Sequence, residues 1–254
     1  MQRFLNWAMP DFLGIGAQRA GTTWLWKHLR GHPQIWTPRT KELHFFDRRV
    51  RRRRLPWIGR RREAQVRYAL NFVVGRLLGK HVGEVTPAYA ILPEDRVRII
   101  AAWMPDVRVV YLVRDPVQRA WSQAAKSYRK WAGHPLVQAK EESLRVFFRL
   151  PEVMERGNYL AALRTWRSHL PADQIFVCAS EEMFARPVDT LRRIFVFLGV
   201  DPDISLDPAE LERPIHKGSV TPIPESVRGE LEAMLYPQRE ELESMLGITL
   251  PWGR

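Results

Sequence analysis

Cysteine is nearly absent: Cys178 is the one example among 254 residues, so no disulfide can close within the chain. A disulfide-free chain fits a reducing cytoplasm. Cys178 lies in the apolar run Ile175-Phe176-Val177-Cys178-Ala179 and reads as a buried, inert thiol. Long hydrophobic runs are missing as well. No uninterrupted apolar stretch approaches the ~18 residues needed to span a bilayer. Residues 1–10 are too short and too broken for the apolar part of a secretory signal, and the expectation is a soluble protein. Internal repeats and low-complexity linkers are also lacking. Acidic residues are scarce relative to basic ones, 28 against 40, which leaves a formal net charge of +12. That imbalance favours an anionic partner: a nucleotide, a nucleic acid, a sulfated or phosphorylated ligand, or an acidic membrane surface.

What is present is enough apolar material for a substantial core, 45% hydrophobic residues with 11% aromatics. The length suits one α/β domain over residues 1–254. Strands are expected at 11–15, 81–85, 107–113 and 174–179. Helices are expected at 22–29, 63–78, 94–103, 117–129, 151–170, 187–198 and 226–246, the last with Pro237 as a point of breakage. Val107 to Val113 is apolar at nearly every position, as a strand buried on both faces requires. The alternation predicts a central parallel β-sheet flanked by helices, with ligands beyond the C-terminal strand ends.

Two motifs fall at such ends. The first is Gly16-Ala17-Gln18-Arg19-Ala20-Gly21-Thr22-Thr23, between a strand and a helix. Backbone N–H groups of such a turn, together with the helix N-terminus, cradle an anion. The glycine spacing matches the nucleotide-triphosphatase loop G-x-x-x-x-G-K-[ST], but Thr22 stands where the lysine belongs and the basic group is Arg19 inside the loop. No apolar strand ends in a convincing Mg²⁺ carboxylate, since Asp115 directly follows Arg114. The loop is therefore expected to hold an anion without a bridging metal.

Phe12 to Thr23 resembles the 5′-phosphosulfate loop of sulfotransferases that use 3′-phosphoadenosine-5′-phosphosulfate (PAPS), a family that usually has lysine in place of Arg19. Arginine keeps the charge and adds a planar donor fork, but gives up a proton less readily. The resemblance implies that Arg19, Ala20, Gly21, Thr22 and Thr23 hold the 5′ side. It also implies that Trp24 stacks on adenine, with core packing the alternative role of this tryptophan. Val109 to Ser122, containing Arg114-Asp115-Pro116, is similar to the family's 3′-phosphate motif. Arg114 at a strand end and Ser122 in the next helix suit one phosphate, by bidentate charge-assisted bonds and a hydroxyl. Pairing of Arg114 with Asp115 or a neighbouring acid is the alternative. His216-Lys217-Gly218-Ser219 lies where the family often closes a Lys-Gly loop over the nucleotide, giving Lys217 and Gly218 as further contacts, or else an exposed turn. The motif style is nearest to the bacterial and glycosaminoglycan-type sulfotransferases.

Lys41-Glu42-Leu43-His44-Phe45-Phe46-Asp47 resembles a segment of the glycosaminoglycan branch whose glutamate is the proposed base. On an extended segment Glu42 and His44, spaced i, i+2, share a face. Glu42 is the expected base, His44 its orienter and reserve, and Arg19 completes the catalytic set. Gly83 to Tyr89 resembles a further family segment, with Val85 where lysine is common, a change that argues against a long anionic sugar polymer as acceptor. Residues 48–62 hold nine arginines. That run suits an anionic membrane surface, aided by Trp57 and Ile58, or a solvated loop.

The resemblance implies a PAPS-dependent sulfotransferase that yields 3′-phosphoadenosine-5′-phosphate (PAP) and needs no metal. The acceptor would be a small-molecule, lipid-linked or carbohydrate hydroxyl, less readily an amine. The chain would be cytoplasmic, or peripheral at a membrane, with no nucleic acid as partner. A P-loop small-molecule kinase and a non-catalytic basic nucleic-acid-binding module are the competing readings. The first lacks its lysine and carboxylate, and the second leaves both phosphate motifs idle.

Overall fold

Five short strands rich in Val, Ile, Leu and Phe assemble into one all-parallel sheet: β1 (Phe12–Gly16), β2 (Ile35–Trp36), β3 (His81–Val85), β4 (Arg108–Val113) and β5 (Ile175–Ala179). Their order across the sheet is β2-β3-β1-β4-β5, with β1 central. Every residue of β1 is buried, as is all of β4 after Arg108, which is the pattern of strands covered by helices on both faces. The computed structural model describes residues 2–47, 61–211 and 222–253. Close packing of β1 on its neighbour explains one glycine: Phe12 pairs with Gly83, where a Cβ would lie 2.5 Å from the Phe12 ring.

The four expected strands form, and a fifth, β2, arises inside a segment expected to be loop. Two residues are too few to show a period. The segment 63–78 divides into helices Arg61–Ala69 and Val73–Leu77. The segment 151–170 divides into Pro151–Gly157 and Tyr159–Arg167 because Asn158 restarts the helix, its side chain accepting from Ala161 N at 3.0 Å. The last helix breaks around Pro237, into Glu225–Leu235 and Arg239–Leu246. Helices Glu141–Phe148 and Ser180–Ala185 were not anticipated.

The main core lies on both sheet faces, and a second cluster packs Trp121, Tyr128, Phe147, Phe148 and Leu231 behind the helix Pro116–Ala132. Cys178 is buried, and burial pushes its thiol up to about 12. Among the described residues no helix is long and apolar enough to cross a membrane. Most of the arginine run, residues 48–60, and the Lys217-Gly218 segment lie outside the described residues.

Candidate active site

The C-terminal ends of β1, β3 and β4 release the segments that meet at the site. After β1, Arg19 and Gly21 adopt left-handed backbone angles, φ 74° and 87°, and Gly21 caps the helix Thr22–Gly31 without a side-chain bond. The first N–H groups of that helix are thus not consumed by a side-chain cap, which suits an anion. A side chain at Gly21 would meet both the unfavourable φ and Met183 Cε, 2.5 Å from an added Cβ. Ser180 ties the loop to the neighbouring strand, its hydroxyl lying 2.7 Å from Ala20 O and 3.0 Å from Val113 O.

Arg19 does not turn toward Thr22 and Thr23. Its Nε donates to Ser122 Oγ at 2.9 Å, and Arg114 Nη1 donates to the Arg19 carbonyl at 3.1 Å. The loop and the Arg114–Ser122 motif, expected to hold opposite ends of the donor, therefore adjoin. Burial, and then the neighbouring Arg114 charge, lowers the Arg19 pKa. The cation beside Thr22 and Thr23 is Lys41, whose Nζ lies 3.4 Å and 3.1 Å from their hydroxyls. Sequence reasoning quoted Lys41 but gave it no role; a lysine missing from its usual place in a phosphate loop is the signal that could have prompted a search for one elsewhere.

Arg114 is not paired with Asp115. Asp115 caps the helix Pro116–Ala132, accepting from Val117 N at 2.8 Å and Gln118 N at 3.1 Å, and its other oxygen accepts from Tyr236 OH at 3.0 Å. Glu181 bridges from here to the C-terminal segment: Oε1 accepts from Asp115 N at 2.9 Å and Oε2 from Trp252 Nε1 at 3.2 Å. Trp24 is 2% exposed; its Nε1 donates to Leu211 O at 2.9 Å, and its ring packs on His28 and, edge-on, on Phe184. Phe184, 52% exposed beside Gly21, is the aromatic ring open to a ligand there.

Opposite the loop, His44 joins two carboxylates: Nδ1 lies 2.8 Å from Asp47 Oδ2 and Nε2 3.2 Å from Glu42 Oε2. Lys41 Nζ holds the other Glu42 oxygen at 2.9 Å. Glu42 and His44 do not sit on an extended segment, because His44 has φ 53° and residues 45–47 form a turn. The turn, not strand periodicity, brings them together and adds Asp47. A left-handed angle at a non-glycine residue costs about 1–3 kcal/mol and persists only where its surroundings fix it.

Here the fixing comes from the segment that leaves β3. Thr86 Oγ1 accepts from Leu43 N at 3.1 Å, and Tyr89 OH accepts from Phe45 N at 2.9 Å, so the amides on either side of His44 are both held. Both hydroxyls donate to the fully buried Glu84, at 2.6 Å and 3.1 Å, and Tyr68 OH adds a third bond at 2.6 Å. Burial raises the Glu84 pKa against these bonds, and raises those of Tyr68 and Tyr89 as well.

A cavity of about 920 Å³ opens beside Glu42, His44 and Asp47, and Gln18 of the loop lines it too. Fold and site together define an α/β protein that places an arginine-rich anion cradle against a carboxylate–imidazole–carboxylate chain. The chain belongs to the sulfotransferase family: residues 9–220 match the model described as the sulfotransferase domain.

It is 29% identical over 195 residues to mouse heparan sulfate glucosamine 3-O-sulfotransferase 3B1, covering 76% of this chain and 46% of that protein. With human heparan sulfate glucosamine 3-O-sulfotransferase 6 the identity is 30% over 193 residues, covering 75% and 52%. The chain spans about half the length of these curated relatives. A sulfotransferase from Alicyclobacillus acidocaldarius superposes with a TM-score of 0.70 at 24% identity, covering 95% of this chain and 97% of the other. The sulfotransferase domain of the curacin biosynthetic pathway gives 0.56 at 18% identity, covering 96% and 99%. These likenesses establish the fold.

Proposed function

We propose that the protein transfers a sulfuryl group from PAPS to an acceptor hydroxyl, releasing PAP. The observation that carries this reading is that Arg19, Arg114 and Ser122 converge at a loop whose Thr22 and Thr23 hydroxyls meet Lys41, the same lysine that holds Glu42 of the Glu42–His44–Asp47 chain. The donor's 5′ side would rest on the Gly21–Thr23 amides with Arg19 and Lys41, its 3′ phosphate on Arg114 and Ser122, and its base on the open ring of Phe184. Bonds from guanidinium to phosphate oxygens are the strong, charge-assisted kind.

The acceptor oxygen attacks sulfur opposite the bridging oxygen. As the new S–O bond forms, the bond from sulfur to the 5′-phosphate oxygen breaks, and its electron pair leaves on PAP. The acceptor proton passes to Glu42. Both imidazole nitrogens of His44 already face carboxylate oxygens, so the ring has no lone pair directed at an acceptor, and this supports Glu42 as the base. Cationic groups on the donor side stabilise charge as it moves to the leaving phosphate. A carbohydrate acceptor is the class named by the heparan sulfate relatives.

Titration calorimetry with PAP, followed by turnover of labelled PAPS over a panel of lipids, sugars, phenols and amines, tests the reading. PAP should bind without added metal. Glu42→Gln should lower turnover by about 100-fold or more with PAP affinity retained. A protein that ignores PAP refutes the donor assignment, and a fully active Glu42→Gln refutes the base.

A further inference from the structure

Lys41 reaches both partners of the proposed reaction from a single position. Its Nζ lies 3.1 Å from Thr23 Oγ1 and 3.4 Å from Thr22 Oγ1, at the start of the loop helix, and 2.9 Å from Glu42 Oε1. An ammonium has three N–H donors and no acceptor, and these three oxygens match them. The other Glu42 oxygen meets His44 Nε2 at 3.2 Å, and Asp47 holds that ring from its far side. A proton therefore cannot settle on Oε1 along the direction that the ammonium occupies. Of the two partners of Glu42, His44 sits in the bracketed turn, whereas Lys41 carries its charge on a flexible four-carbon stem.

The cations that the family resemblance would bring to this gap are not there. Arg19 points to Ser122 at 2.9 Å, and Val85 stands where lysine is common. We propose, resting on the transferase reading above, that Lys41 supplies the missing charge by changing partners: when the donor binds, its ammonium leaves Glu42 Oε1 for the non-bridging oxygens of the sulfuryl group. A hydroxyl that accepts from an ammonium still has its own hydrogen to donate, so Thr22 and Thr23 can meet the same anion. The move opens Oε1 to the acceptor hydroxyl and keeps positive charge on the group in transit. As the acceptor O–S bond forms, the acceptor proton goes to Glu42. The bond from sulfur to the 5′-phosphate oxygen breaks, its electron pair leaves on PAP, and Lys41 keeps all its protons. Lys41 is in this scheme a catalytic residue that couples the arrival of donor to the release of the base.

The test is a double-mutant cycle read by calorimetry with PAPS, which carries the sulfuryl group, and PAP, which lacks it. Lys41→Met should weaken PAPS by about tenfold and leave PAP affinity largely unchanged, with urea unfolding confirming the fold. Glu42→Gln removes the competing partner, so it should tighten PAPS several-fold in the wild-type background and not in Lys41→Met. In turnover with labelled PAPS, Lys41→Met should lower kcat about 100-fold or more, and Lys41→Arg, which keeps the charge, should recover part of that loss. Equal weakening of PAP and PAPS in a folded Lys41→Met would put the ammonium on the nucleotide phosphate and overturn the inference. Unchanged PAPS affinity in that variant would do the same. Should Lys41→Met fail to fold, Glu42→Gln decides alone, because no gain in PAPS affinity means that Lys41 does not change partners. A wild type that does not bind PAP sinks the transferase reading itself, which separates the two failures.

Discussion

His44 is held in a left-handed conformation with one imidazole nitrogen on each of two carboxylates. Asp47 therefore holds the ring that in turn meets Glu42, and in the proposed mechanism it is a positioning residue. Asp47→Asn should lower kcat about tenfold to a hundredfold, with PAP affinity retained by calorimetry; an unchanged kcat would show that the ring is oriented by other means. Glu42 and His44 were legible in the sequence because their residue types and neighbours resemble a family segment. Asp47 and Lys41 lay in the same quoted segment without a role, because the reading assumed an extended backbone. A single positive φ at His44 leaves no periodic trace, and it changes which side chains meet. Arg19 is a similar case: its charge was legible, but its direction, toward Ser122 rather than Thr22 and Thr23, depends on its own left-handed angle.

The exit of β3 works as a bracket for the reactive turn. Thr86 and Tyr89 each accept one main-chain amide of that turn and donate to Glu84 beneath it. Thr86→Val and Tyr89→Phe each remove an acceptor from a main-chain amide and a donor from a buried carboxylate, a loss of about 1–3 kcal/mol. Both variants should unfold at lower urea concentration and show reduced kcat with PAP affinity kept; equal loss of PAP binding would mean that the bracket serves the whole site. The strands that carry these residues were readable because buried parallel strands are apolar throughout. Split helices were harder. The restart at Asn158 is a capping event within continuous helical patterning, and the hydrophobic period runs through it undisturbed.

Glu84 also sets a property of the molecule as a whole. Its carboxyl sits above the ordinary 4.5 because burial disfavours the charge. As pH rises past 4.5, the unfolded chain releases this proton while the native chain still holds it, so native stability falls until the raised native value is passed. Urea denaturation of the wild type over that window should show this decline, and Glu84→Gln should flatten it. An identical slope in both proteins would assign the pH dependence to other groups. The parallel sheet with its ligand side at the strand ends was legible from alternation alone. Charge distribution was not, because composition gives a net value of +12 and says nothing of where single carboxylates such as Glu42 and Asp47 gather.

Glu181 links the amide of Asp115, one residue beyond Arg114, to the indole of Trp252. Ribosomal synthesis proceeds from the N-terminus, and the cradle loop and Arg114 emerge long before Trp252 does. A nascent chain thus carries the Gly16–Thr23 loop and Arg114 while still lacking the tryptophan that bonds the second oxygen of Glu181. The bond between the indole and Glu181 can therefore form only well after the helix that follows Asp115 has been made.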